Sequence, residues 1–493
     1  MSAVCHNGGV PTPTRPDPRD DAQRELDRLR REIDRSRQEA DRLREENAQL
    51  QRERDRLQRE IARLTHALDA ARRAGKRQAA PFSKGAPTPA PERAGRRAGR
   101  RHGRHAHRHP PTTVDETIDV PLPPQCPHCG GGVTPTRIAT QVQEELPVVR
   151  PHVRQFDVHV GCCDQCGRRV QGRHPLQTSD ALGAASTHLG PQAVALIVLL
   201  NKQLGLSHGK IATLLRDWFG LSVRPSGVTH ALHRAARQAA PTYDALCAQV
   251  RGSPVVTPDE TSWKVAGDLW WLWVFATAQT VVYAIQAGRG FADAAAVLGA
   301  DFSGALVRDG WAPYRRFVQA AHQTCLAHVI RRCHELAEAH PRTDWPRRVQ
   351  AVLQDALAVR DRVHAGAISA HGAAVARGQL ITRLGDLLAA PGTVPDCQRL
   401  AGHLSTELSA VFSFLFDDTL DATNWRAEQA LRPAVVNRKV SGGNRSTRGA
   451  ETQQVLSSVI QTARLRDLPP REVLVDLLRA PQPTASPALT SLP

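Results

Sequence analysis

Three stretches of the chain put carboxylates where chemistry could use them. VVTPDETSWKV (255–265) ends an apolar, β-branched run on Asp259 and Glu260. GALVRDGWAPY (304–314) ends a second apolar run on Asp309. LDATNWRAEQALRPAVVNRKVSGG (420–443) carries Glu428 in a helix-forming stretch, with Arg432, Arg438 and Lys439 close behind it. Mg²⁺ takes oxygen ligands in near-octahedral order, and two such ions about 3.5–4 Å apart need several carboxylate oxygens. Asp259, Asp309 and Glu428 are the candidate set for two Mg²⁺ (or Mn²⁺) ions. The cations behind Glu428 suit phosphates on either side of a reacting bond. Glu260 reads as a support for Asp259 or a helix cap. Asp301, Asp417 and Asp418 lie near these acids in sequence, the last two in a polar loop leading to Glu428.

A second constellation is made of cysteines. Cys126 and Cys129 form one CxxC pair, and GCCDQCGRR supplies Cys163 and Cys166, with Cys162 to spare. Each pair is followed closely by glycine, and short alternating β-like runs lie between them. Four thiolates satisfy tetrahedral Zn²⁺, and a structural zinc replaces the core that so short a segment cannot build. This predicts a zinc-ribbon-like domain over 116–178. The alternative is buried free cysteines.

The acids need strands and a helix to carry them. Val255 onward, WWLWVFAT (270–277) and VVYAIQ (281–286) read as three consecutive antiparallel strands. An Ala-rich helix follows (291–299), then the strand that ends on Asp309. Three strands, a helix and a fourth strand is the order of a ribonuclease-H-like core, in which the first and fourth strands bring their acids together. The core is expected over 251–465, with a helical insertion at about 325–418 and a C-terminal tail at 466–493. Upstream, 185–250 reads as helical. LSHGKIATLLRDWFGLSVRPSGVTHALHRA (206–235) has a glycine-containing turn between two helices, as a helix-turn-helix would, and generic helical hairpins look the same.

Further upstream, Leu29, Leu43, Leu50, Leu57 and Leu64 fall on one heptad position, and Leu26, Ile33, Ala40, Asn47, Arg54, Ile61 and Leu68 on its partner. That is a coiled-coil seam over 21–74, with Asn47 favouring a parallel dimer in fixed register. Residues 1–20 are Pro-rich and expected to be disordered, and 75–115 form a basic linker. The chain is multidomain α+β: coiled coil, zinc ribbon, helical DNA-binding-like domain and α/β core.

The bulk numbers agree with a polyanionic partner. The net charge is +17 over 493 residues, and twelve Lys and Arg against one acid in 71–110 carry +11 of it. Nucleic acid is the default partner of such a surplus. The longest apolar run, AVALIVLL (193–200), is too short to span a bilayer, and no apolar leader opens the sequence. The expectation is a bacterial cytoplasmic, nucleoid-associated protein with no membrane partner.

These motifs resemble the transposases of the insertion sequence 66 family. The resemblance rests on DETSW (259–263), DGWAPY (309–314), CLAH (325–328), TNWRAEQALRP and RKVSGG, and spans nearly the whole chain. It implies an Asp-Asp-Glu triad at Asp259, Asp309 and Glu428, a helical insertion before the glutamate, and metal-assisted cleavage and transfer of DNA strands. It implies element ends and target DNA as partners, and small accessory proteins accompany many such elements. Asn424, Arg432, Arg438 and Lys439 are the candidate DNA contacts. The chain departs from the family where Trp425 follows Asn424 in place of a second asparagine, and where Gln429 follows Glu428 in place of arginine. Cys325 and His328 match a family CxxH motif and read as core or helix-packing residues. Three rivals stay open: a zinc-containing DNA-binding regulator without catalysis, a decayed transposase, and a ribonuclease-H-like nuclease that cuts without joining. The chain's three tyrosines weigh modestly against a tyrosine recombinase.

Overall fold

No glycine or proline interrupts residues 19–74, and Arg, Leu, Glu and Gln, all good helix formers, dominate them. They form one helix, α1 (Pro18–Gly75), in the computed structural model, which describes residues 18–75, 110–183 and 187–491. The Pro-rich stretch before Pro18 and the linker of 76–109, with His102, His105, His107 and His109, lie outside the described residues. The chain divides after Val142 into two units. In the first, the heptad residues Leu29, Ile33, Leu43, Leu50 and Leu57 are 47–57% exposed, so among the described residues nothing covers this part of the α1 seam. The same unit holds the tight turn of Cys126–Gly131.

The second unit opens with a short antiparallel hairpin, β1 (Val160–Cys162) and β2 (Arg169–Gln171). The other β-like runs between the two cysteine pairs form no strand among the described residues. Ile138, Val148 and Val153 there are at least 85% exposed, so no core fixes a strand pairing around them.

Helices α2 (Pro191–Lys202), α3 (His208–Phe219) and α4 (Pro225–Arg251) follow. The turn between α3 and α4 is made by Gly220 in the left-handed region (φ 63°), which glycine adopts without steric cost. Val228, Ala231, Leu232, Ala235 and Leu246 bury the length of α4 in the main core.

That core covers one face of a five-stranded mixed sheet in the order β5-β4-β3-β6-β7. β3 (Val255–Val265), β4 (Asp268–Ala276) and β5 (Val281–Gln286) run antiparallel in sequence. Helix α5 (Phe291–Leu298) then crosses over, and β6 (Ala305–Arg308) and β7 (Ala321–Thr324) add in parallel. β6 pairs with β3 only at Val255 and Val256, so the two strands part before their acids. Period-two alternation sorts the sheet: Trp273 and Phe275 face the helices α2–α4, and Leu272 and Val274 face the opposite side.

On that opposite side lies α10 (Trp425–Ser441), through Ala427, Ala430, Leu431 and Ala434. Between β7 and α10 the chain builds α6 (Leu326–Ala339), α7 (Trp345–His364), α8 (Ala370–Ala389) and α9 (Pro395–Val411), which share a separate core. After α10, helix α11 (Thr447–Leu465) guards the exposed edge of β5. Gln454, Ser458 and Thr462, spaced four apart on one helix face, accept the N–H groups of Ile285, Tyr283 and Val281. The stretch expected as a tail forms α12 (Pro470–Arg479) and α13 (Pro487–Thr490), with Leu474 and Leu489 buried.

Candidate active site

Adjacent residues on a strand point to opposite faces, and this separates the two acids at 259 and 260. Asp259 lies on the α10 side and Glu260 on the helical-core side. Glu260 is fully engaged there: it takes Nε of Arg289 at 2.7 Å and the Tyr314 hydroxyl at 2.6 Å. Arg289 is itself held between two indoles, its guanidinium 4.7 Å from the Trp271 ring and 4.0 Å from the Trp311 ring. Glu260 therefore anchors the strand beside Asp259 and caps no helix.

Asp259 accepts the N–H of Glu260 at 2.8 Å and a long contact from Nδ2 of Asn424 at 3.5 Å. Burial, then the Glu260 charge, with smaller contributions from Asp309 and Glu428, push its carboxyl up to about 7. Asp309 follows β6 directly, and its side chain accepts the Trp311 N–H at 3.0 Å, which closes the DGW turn. Glu428 sits in the first turn of α10, its side chain 36% exposed, with Oε1 at 3.9 Å from both His328 Nε2 and Arg331 Nη2. The charges of Asp309 and Glu428 thus both reach Asp259.

The motifs around them meet in space. Asn424 caps α10, is fully buried, and accepts the Cys325 thiol at 3.0 Å. Expected to touch DNA, Asn424 instead links the start of α6 to Asp259 and has no surface to offer. Cys325 is buried, as expected of a packing residue. His328 is not: its Nε2 faces Glu428, and its buried Nδ1 has no partner among the described residues. The SGGN turn closes α10 onto β3. Asn444 accepts Trp263 Nε1 at 2.7 Å, and a side chain on Gly443 would strike the Lys264 carbonyl. Arg438 is half-buried and donates to Thr261 Oγ1 at 3.0 Å and to the Ser262 carbonyl, so it ties α10 to β3. Arg432 and Lys439 lie on the exposed side of α10, as does Trp425, one turn ahead of Glu428.

The donor set is all oxygen, which fits Mg²⁺ or Mn²⁺ and suits zinc poorly. The raised Asp259 reflects burial first and the neighbouring carboxylates second. Among the described residues no three His, Cys, Asp or Glu side chains are yet gathered as a cage.

The two cysteine pairs show the same local turn. Cys126 N–H donates to the Gly131 carbonyl and Gly130 N–H returns to Cys126, while Cys163 pairs with Arg168 and Gly167 in the same way. Backbone N–H groups of His128 and Cys129 lower the Cys126 thiol, and those of Cys166 and Gln165 lower Cys163. Lowered thiols are the form a metal takes. Cys163 therefore holds the turn position, and Cys162 ends β1 outside it.

Sequence reasoning missed Arg289, Tyr314, His328, Arg331 and the insertion residue Glu407. The DGWAPY and CLAH motifs contained two of them, Tyr314 and His328, yet nothing in one sequence said which side chains would turn toward the acids. No helix among the described residues is long and apolar enough to cross a membrane. In comparisons with known proteins, the model of the Transposase IS66 family matches residues 186–452, just over half of the chain. No curated protein matches it.

Proposed function

Because the chain belongs to the IS66 transposase family, we propose that it moves an insertion sequence by cutting DNA strands and joining them to a target at Asp259, Asp309 and Glu428. What supports this is that the charges of Asp309, after β6, and Glu428, at the start of α10, both reach Asp259 on β3, whose carboxyl is raised to about 7 by burial first and the Glu260 charge next. The strand order supports a ribonuclease-H-like core, with α6–α9 as the insertion.

Asp259, Asp309 and Glu428 would hold two Mg²⁺ or Mn²⁺ ions. When bound, these supply activation of the attacking oxygen and neutralise the leaving one. The chain's own residues do the rest. Asp259 must give up its proton near neutral pH to serve as a ligand. Asn424 and the Glu260 N–H fix its two oxygens. Arg331 and His328 sit where the backbone of a bound strand would need a cation or donor beside Glu428. Arg432 and Lys439, on the exposed side of α10, extend that positive track to phosphates further along. In the first step water attacks a phosphodiester, the P–O3′ bond breaks, and a 3′-hydroxyl and 5′-phosphate remain. In the second the 3′-hydroxyl loses its proton, attacks a target phosphate and displaces a new 3′-hydroxyl.

Two auxiliary roles follow from the same reading. Cys126 with Cys129, and Cys163 with Cys166, are each a pair of thiols suited to structural Zn²⁺, supported by their matching turns. The exposed seam of α1 pairs with a second copy of the chain.

The test is purified full-length protein with duplex DNA carrying the ends that flank its gene, in Mg²⁺, scored for nicks and for joined products. Joints between an end and a target support the reading. Nicks without joints would move the protein to the cutting-only nuclease, and binding without nicks to the regulator or a decayed copy.

A further inference from the structure

The helical insertion sends one carboxylate into the heart of the sheet. Glu407 lies on α9, and its side chain is fully buried. Its Oε2 meets Nη1 of Arg308 and accepts the Thr324 hydroxyl at 2.9 Å, and its Oε1 takes Nη1 of Arg315 at 2.9 Å. Those three partners bracket Asp309. Arg308 is the residue before it, Arg315 lies in the turn after it, and Thr324 ends the neighbouring strand. Arg308 is itself only 2% exposed, and the same Nη1 donates to the Asp309 carbonyl at 3.1 Å. A continuous chain therefore runs from α9, through Glu407 and the Arg308 guanidinium, to the backbone of Asp309.

A buried ion pair is a poor source of stability, since well-packed apolar residues serve as well or better. What it supplies is geometry. The guanidinium's planar fork makes several bonds in fixed directions, which lysine cannot reproduce. β6 has only four residues and leaves β3 after two pairs, so toward Asp309 it is paired on one side alone, by β7, and the guanidinium holds the end from the other direction.

We propose that Glu407 is a positioning residue: through Arg308 it fixes the Asp309 carboxylate for metal binding, so the insertion is part of the metal-binding apparatus. This rests on the reading of Asp309 as a metal ligand. Partners that orient a ligand typically change metal affinity by about 10–100-fold when removed.

The test is direct Mn²⁺ binding by full-length protein without DNA, with free Mn²⁺ followed by electron paramagnetic resonance and folding by thermal melting. Glu407→Gln keeps the shape and removes the charge. Arg308→Lys keeps a buried cation opposite Glu407 and loses the fork. Leu384→Ala, in the separate core of the insertion, is the stability control. The expected result is Mn²⁺ affinity weakened about tenfold or more in both Glu407→Gln and Arg308→Lys, with Leu384→Ala melting lower but binding within about twofold of wild type. Should Glu407→Gln fail to fold, Arg308→Lys decides. Wild-type affinity in Arg308→Lys, or equal weakening in Leu384→Ala, overturns the proposal. Asp309→Asn separates the two layers. Wild-type binding there removes the carboxylate site itself and the proposal with it, whereas lost binding there with unchanged affinity in Arg308→Lys removes the positioning role alone.

Discussion

Replacing Asp259 with asparagine should stabilise the protein when Mg²⁺ and Mn²⁺ are absent. Folding moves the Asp259 carboxyl from its ordinary 3.8 up to about 7, with burial the largest cause and the Glu260 charge next. A folded-state value above the unfolded one means that this group's contribution is fully present below about pH 4 and is lost as pH rises through about 7. At about 1.4 kcal/mol per unit, the charged carboxylate costs the fold at most about 4 kcal/mol at pH 8. Asparagine removes that cost and still accepts the Glu260 N–H through Oδ1. It also turns an amide toward Nδ2 of Asn424, which costs about 1 kcal/mol. The net expectation for Asp259→Asn is a gain of about 2–3 kcal/mol at pH 8 that disappears below about pH 4. Urea unfolding of both proteins, followed by tryptophan fluorescence at steps from about pH 5 to pH 8, reads the difference directly. Adding Mg²⁺ or Mn²⁺ should raise the wild-type midpoint and leave the variant unchanged. A difference that stays flat across that range, or a variant less stable at pH 8, would refute the picture of Asp259 as a buried carboxylate beside the Glu260 charge.

Zinc content by mass spectrometry should fall in Cys126→Ser and Cys163→Ser and stay at the wild-type level in Cys162→Ser, because only the first two hold the sulfur-facing turns. Leu43→Asp with Leu50→Asp should shift the chain from a dimer to a monomer in light scattering, since both residues lie on the exposed seam of α1. Asn424→Ala should cost about 1–3 kcal/mol in denaturant unfolding, for it leaves the buried Cys325 thiol without its acceptor.

What the sequence made legible was whatever local periodicity controls. Alternation and apolar runs located β3, β4, β5 and β6, and Asp309 follows β6 as expected, but Asp259 lies inside β3 and not at its end, because pairing with β4 carries the strand on to Val265. Glycine with its left-handed φ marked the turn at Gly220, and heptad spacing marked α1. What stayed hidden depended on contacts between residues far apart in the chain. The pairing of Glu260 with Arg289 and Tyr314, and of Glu407 with Arg308, joins residues that no periodicity relates. Asn424 looked like a DNA contact because polar residues beside a catalytic acid often are. Its burial follows from the close approach of α6 to the start of α10, which one sequence does not display. The strands missing between the cysteine pairs show the converse. Alternation predicts a strand only where something stands ready to cover its apolar side.

The most direct test of the central claim is an excision and insertion assay in cells. The gene is supplied with its native flanking DNA and neighbouring reading frames, and wild type is compared with Asp259→Asn, Asp309→Asn and Glu428→Gln at matched protein levels. The account predicts that wild type moves the DNA and that each substitution stops it. Movement that survives any one of the three would contradict the assignment at that residue.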